Sequence, residues 1–326
     1  MSTGTLERRR QPAEPGAVEE AEERRAEAAE LIANQYGACR VMFRWLGTRK
    51  GLDTNQRRQA ADQFEADARY LSASKKLIDT KNPKVRAVTA CRTRIKDMWE
   101  SLTLPYIEPG VRLIRLEHME AFDAQMRELA ADLAAAVDDL ASEFEVLKGE
   151  ARRRLGSLYN PADYAEDVRE QIGVDWDFPA LEPPAYLQFL NPNLHANAME
   201  QFKARLEATV AVAEAAFLEQ FREAVGHLAE RLTGTEDGKP KVFRDSAVDN
   251  LKEFFERFKL LNLGSNPELE EFVERAKAIV GNRDAEDLRN MGRFRAEVAT
   301  GLSQLSGELT SMTVDRPRRR LAKGGL

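Results

Sequence analysis

The chain has 326 residues, of which 43% are hydrophobic and 32% charged, with a formal net charge of −6. That is long enough to bury a real core, and the balance lies toward helix-rich, coiled-coil-containing proteins. No stretch approaches the roughly eighteen apolar residues of a membrane span, and the start, MSTGTLERRRQPAEPG, lacks the apolar segment of a signal peptide, so neither insertion nor secretion is expected.

Aromatics make up only 7%, while Ala, Glu, Leu and Arg dominate, so helices are favoured and almost no sheet is expected. Cys39 and Cys91 form no CxxC pair, which points to a reducing cytoplasm.

Residues 1–18 are rich in Pro, Gly and charge and read as disordered. A helix is expected from Ala17 to about Arg49, with its apolar members from Leu31 to Leu46 crowded into the second half. A second helix runs from Asp53, an N-cap with Gln56 at the capping-box position, through Phe64 and Leu71 to Leu77. A third starts at Asn82 and Pro83 and ends near Leu102. The Asn-Pro pair recurs at Asn160, Asn191 and Asn266: asparagine satisfies a free amide at a helix start, and proline presets φ where no donor is needed.

Leu104 to Gly110 reads as a rigid connection into a long helix, Val111 to Leu155. Apolar residues there step by three and four through Met119, Phe122, Met126, Leu133, Leu140, Phe144 and Leu147. A second long stripe, Leu194 to Leu232, steps through Phe202, Leu206, Val210, Phe217, Phe221 and Leu228. The two read as an antiparallel coiled-coil hairpin. Between them lies Gly156 to Asn193, with a short helix near Pro161 to Ile172 and an apolar, proline-interrupted stretch that packs back or grips a partner. Trp176, Phe178 and Tyr186 are its candidates for partner contact. A turn at Thr233 to Pro240 leads to helices at Asp245 to Leu261, Pro267 to Val280 and Asp284 to Met312, and the tail around Arg316 to Lys323 is basic.

The expected fold is therefore all-α, an elongated helical bundle built on the hairpin. Its regions would be a disordered start (1–18), a basic helical region (19–104), the hairpin (105–234) with its tip (156–193), a C-terminal helical region (241–312) and a basic disordered tail (313–326).

Catalytic motifs are missing. His118, His195 and His227 have no His or Cys partner at helical spacing, and no GxxxxGK[ST], GxGxxG or GxSxG motif occurs. No catalytic residue, cofactor or metal is expected, and the chain reads as a non-enzyme. The strongest polar signal is basic: fifteen Lys or Arg against six Asp or Glu between Arg40 and Met98, a net of +9, whereas Glu117 to Glu150 holds ten acidic residues. Arg40, Arg44, Arg49, Lys50, Arg57, Arg58, Lys75, Lys76, Lys81 and Lys84 are thus candidates for contact with nucleic acid or another polyanion, with Phe43, Trp45 or Tyr70 available for stacking. The competing account is that these cations pair with the acidic long helix.

Several phrases carry a resemblance: Thr103 to Tyr106 with Gly110 to Ile114, Ala151 to Tyr164 (ARRRLGSLYNPADY), Phe178 to Leu187, and Phe243 to Leu251. Over residues 60–280 the chain resembles a poorly characterised all-helical family of tailed phages, prophages and mobile elements. Some of its genes sit beside MoxR-type AAA+ ATPases and von Willebrand A-domain proteins. The resemblance implies a cytoplasmic, non-enzymatic protein, an adaptor or substrate-binding partner of such an AAA+ machine or A-domain protein. The two matched apolar seams and the missing catalytic set point to a structural or adaptor protein that assembles with itself, as a homo-oligomer, or with such a partner. The lack of a long apolar run points to no membrane role. The alternative is a nucleic-acid-binding protein in phage replication, recombination or defence.

Overall fold

The computed structural model describes residues 15–233, 235–236, 239–240 and 245–314. The basic tail lies outside the described residues, as does the expected disordered start apart from residues 15–18, which open a helix. The chain forms two compact units, each assembled from separate segments: one from residues 37–103 and 110–180, the other from 1–36, 104–109 and 181–326.

The all-α expectation is overturned by a four-stranded sheet. Its strands are β1 (Tyr36–Arg44), β4 (Thr103–Pro105), β5 (Val111–Arg115) and β6 (Gly173–Asp177), in the order β4-β5-β1-β6. The helix expected over 17–49 stops at Gln35, as α1 (Pro15–Gln35), because the next residues alternate with period two. Cys39, Val41 and Phe43 turn to the core face, and Arg40, Met42 and Arg44 to the other. β6 answers this pattern in antiparallel register, with Val41 opposite Trp176, Phe43 opposite Val174 and Arg40 opposite Asp177. Gly173 faces Arg44, whose guanidinium occupies the space a side chain would need.

Four helices accompany these strands in the first unit. α2 (Thr54–Asp62) has the expected capping box, Asp53 with Gln56, but ends well short of Leu77. α3 (Pro83–Ser101) begins as read, the Asn82 carboxamide accepting hydrogen bonds from the amides of Lys84 and Val85. α4 (Met119–Leu155) starts later than expected, because Val111–Arg115 is strand, and Gly156 at φ +52° caps it. The short helix read over 161–172 is a single turn, Pro161–Asp163, followed by α5 (Val168–Gln171). α3 lays Val85, Val88, Cys91, Ile95 and Met98 along the α4 stripe of Phe122, Met126, Leu133, Val137, Leu140, Phe144 and Leu147.

In the second unit, α6 (Tyr186–Leu190) leads into α7 (Pro192–Thr233), where Asn191 accepts from the amides of Asn193 and Leu194. α8 (Ser246–Leu261) and α9 (Pro267–Val280) follow as read. The last expected helix is two, α10 (Ala285–Asn290) and α11 (Gly292–Val314). Thr235–Glu236 (β7) and Lys239–Pro240 (β8) pair within the expected turn. α7 packs on α11, α1 and α8, and Phe217, Phe221, Phe254 and Phe258 make stacked and edge-on contacts between α7 and α8.

The long hairpin is therefore corrected as well. Both long stripes are real helices, but α4 is partnered by α3 and α5 and α7 by α11, α1 and α8, and no hairpin between them is shown. Each stripe had a partner other than the one its length suggested. Among the described residues no helix is long and apolar enough to cross a membrane.

Candidate nucleic-acid interface

Half of the ten candidate cations are held by carboxylates of their own unit. Arg40 makes a two-pronged contact with Asp177, at 3.0 and 2.5 Å, and Arg44 reaches Asp175 at 2.6 Å. These pairs follow directly from the β1–β6 register. Asp177 is held below the usual carboxylate range chiefly by the Arg40 hydrogen bonds. Lys84 donates to Asp139 at 2.8 Å and lies 3.1 Å from Glu143, so it binds the acidic face of α4. Arg94 does the same with Asp132 at 3.0 Å.

Lys50 and Lys75 share one carboxylate. β2 (Arg49–Gly51) and β3 (Ser74–Lys76) form an antiparallel ribbon in which Lys50 stands opposite Lys75, and Arg49 opposite Lys76. Lys50 Nζ is 2.7 Å from Asp163 Oδ1, and Lys75 Nζ is 2.6 Å from Oδ2. Lys75 also donates to the Leu158 carbonyl at 2.7 Å. The Asp163 side chain is 2% exposed and that of Lys75 5%. Burial pushes the Asp163 carboxyl up, but the two ammonium groups beside it outweigh that and the net shift is downward.

Successive strand residues face opposite ways, so with Lys50 and Lys75 turned to Asp163, Arg49 and Lys76 project from the other face. Both are exposed, and no ion pair of the described structure holds either. Like charges directly opposite on a ribbon repel, so this pair adds nothing to the fold by itself. Arg57 and Arg58 on α2, and Lys81 before α3, are likewise unpaired.

The ribbon closes a loop. Amide-to-carbonyl hydrogen bonds from Leu52 to Ala73 (3.0 Å) and Leu77 to Thr48 (2.9 Å) extend it at both ends, tying off residues 49–76 as an excursion that carries α2. Little of it is buried: Ala61 on α2 and Lys75 on β3. It carries two exposed rings, Phe64 at 75% and Tyr70 at 90%, and Glu65 adopts a left-handed φ of +50° beside Phe64. Unpaired cations and solvent-facing rings in a segment that contributes so little to a core are the combination that backbone phosphates and unstacked bases require.

Of the stacking candidates, then, Tyr70 is available and Phe64 joins it, a residue read from the sequence as helix interior. Phe43 and Trp45 are covered by the Arg92 guanidinium, 5.1 and 4.5 Å from their ring centres. The candidates for partner contact separate too. Trp176 donates to Asp123 at 2.8 Å, and Phe178 sets its ring edge-on to Phe122, so both pack within the first unit. Tyr186 lies in the second unit and is 60% exposed.

Cys39 lacks the setting of a nucleophile, whereas Cys91, also buried, accepts a hydrogen bond from the Arg94 guanidinium at 3.3 Å. Both are buried, and burial pushes the Cys39 thiol up to about 12. With Ellman's reagent at pH 8 the folded chain is expected to release less than one thiol per molecule, and two after denaturation; rapid reaction of the folded chain would contradict the burial. Among the described residues no three His, Cys, Asp or Glu side chains cluster to hold a metal ion. Comparison with known proteins finds no matching family model, no matching curated protein and no matching solved structure.

Proposed function

We propose that the chain is a non-enzymatic nucleic-acid-binding protein that holds single strands on the excursion 49–76. The observation that carries this reading is the grouping of Arg49, Arg57, Arg58 and Lys76, all unpaired, with Phe64 and Tyr70, both exposed, on one tied-off segment. Contact between cations and phosphates releases counterions, and the rings supply stacking without a sequence requirement. Assembly through a long helical hairpin is not carried forward.

Fluorescence anisotropy with labelled single- and double-stranded DNA and RNA tests it. Four phosphate contacts predict a slope of log K against log salt of about −3 for single strands, at about −0.7 per contact. Reversing Arg57, Arg58 and Lys76 to Glu should abolish binding. Phe64→Ala with Tyr70→Ala should weaken single strands by at least about tenfold, on the scale of one stacked base, and duplexes much less. A chain that binds none of the four nucleic acids at low salt, or a triple reversal without effect, ends the reading.

A further inference from the structure

The last turn of α4 carries cations that the fold does not use. Gly149 to Leu155 reads GEARRRL, and cations at that end complement the helix dipole, which accounts for the composition but not for where the charges go. Arg154 is committed, reaching Asp79 and Glu150 at 3.0 Å each. Arg152 and Arg153 are exposed, and no ion pair of the described structure holds either. This turn lies against the foot of the excursion 49–76. Lys75 meets Asp163 and the Leu158 carbonyl, the Tyr164 hydroxyl donates to the Leu77 carbonyl at 3.0 Å, and Arg154 reaches Asp79. Residues 75–79 therefore run beside residues 154–164. Lys76 stands free on this strip, and Lys81, also free, follows two positions past Asp79. Arg152 and Arg153 share a helical turn with the arginine that holds Asp79.

By composition α4 is acidic, and an acidic helix would repel a polyanion. Its C-terminal half is neutralised. Every carboxylate from Asp138 to the end of the helix has a cationic partner: Arg169 for Asp138, Lys84 for Asp139 and Glu143, Lys148 for Glu145, and Arg154 for Glu150. Asp79 and Asp163 are paired as well. What is left over on the strip is positive: Lys76, Lys81, Arg152 and Arg153, with Arg86 exposed and unpaired at the start of α3. Exposed acids without an ion pair, Asp62, Glu65, Glu166 and Glu170, stand outside the strip and limit its extent. Tyr159 and Tyr164 stack on each other, 5.3 Å between centres, so these two rings are engaged and the strip offers charge.

We infer that Lys81, Arg152 and Arg153 form a second phosphate-binding site, onto which a single strand held by the excursion continues. The ligand is then an extended strand, not a mononucleotide or a short oligonucleotide. This inference rests on the proposed binding at the excursion and adds phosphate contacts to it. Stacking stays with Phe64 and Tyr70, so the second site contributes through counterion release.

The test is a salt titration of the full chain with labelled oligothymidylates of about 4 and about 16 nucleotides, the range of site sizes of single-strand binders. At about −0.7 per contact, log K against log salt should have a slope of about −3 on the short strand and about −5 on the long one. A longer strand also gains by length alone, so the substitutions decide. Lys81→Gln with Arg152→Gln and Arg153→Gln should return the long-strand slope to about −3 and weaken long-strand binding about tenfold. The thermal melt should barely move, since all three side chains are exposed. Lys81→Arg with Arg152→Lys and Arg153→Lys conserves the charge and should keep the steeper slope. The inference is overturned if the long strand binds with the short strand's slope, or if the glutamine variant keeps the steeper one, and the excursion then binds alone. If neither strand binds at low salt, the proposed function fails and this inference with it.

Discussion

Asp163→Ala is expected to destabilise the first unit by about 3–5 kcal/mol, the cost of leaving a buried charge without its partner. The charge left behind is Lys75, whose side chain is 5% exposed and keeps only the Leu158 carbonyl as an acceptor. Lys50, 54% exposed, simply returns to water and contributes little. The attribution can be checked by adding Lys75→Met. If the loss comes from the orphaned ammonium, the double variant should recover most of it, since an apolar side chain of similar size needs no counter-ion. If the double variant is as unstable as the single one, the ion pair is not the cause. Acid should act on the same group. The Asp163 carboxyl is held below its ordinary 3.8 in the folded chain, so the unfolded chain takes up the proton first. Its contribution is therefore present above about pH 4 and is lost as the pH falls through the folded value. In Asp163→Ala the unfolding midpoint should change less between pH 5 and pH 3 than in the unaltered chain.

Phe122→Ala should cost the same unit a further and separate 3–5 kcal/mol, because the ring is fully buried at the start of α4 and its removal leaves a cavity in a packed core. Phe178 touches that ring edge-on, 6.2 Å between centres, but is 37% exposed, so Phe178→Ala should cost about 1 kcal/mol. A double-mutant cycle between them should return a coupling of about 0.5–1.5 kcal/mol; additivity would mean the two rings do not support each other. A chain of two units need not unfold in one step, which makes the probe important. All three tryptophans, Trp45, Trp99 and Trp176, belong to the first unit, so their emission follows it alone in urea while circular dichroism follows both.

How much of this was legible in the sequence depended on the range of the forces involved. Helix starts set by a side chain two or three residues from its target could be read locally: Asn82, Asn191 and Asn266 each cap the helix expected of them. Stripes on α4 and α7 were legible as buried faces, but a stripe does not say what covers it, and two of similar length are not thereby partners. The strands were missed for a different reason. Composition averaged over the chain favoured helix, whereas Cys39 to Arg44 and Val174 to Asp177 alternate over only a few residues, and Val111 to Arg115 buries the adjacent Leu113 and Ile114 and so carries no clean period of two. Opposite charges at Arg40 and Asp177, 137 positions apart, mark the register, yet nothing local connects them. The basic region was visible as a count. Which cations stay free depended on where β6, α4 and Asp163 came to lie, and Phe64 gave no signal because a helical period passes through it.

The division of both units into separate segments has a consequence for how the protein is made. Residues 37–180, less a short stretch, can fold as soon as they leave the ribosome, since their partners are all in hand. α1 cannot. Ala28, Ala29 and Ile32 are buried in the finished chain, and Arg25 pairs with Glu214, 189 residues later. At about 5–20 residues per second, α1 waits on the order of ten seconds or more for α7 to be synthesised. The first helix among the described residues is thus among the last to be covered, and for that interval its apolar face is an exposed site for a chaperone or for a neighbouring nascent chain.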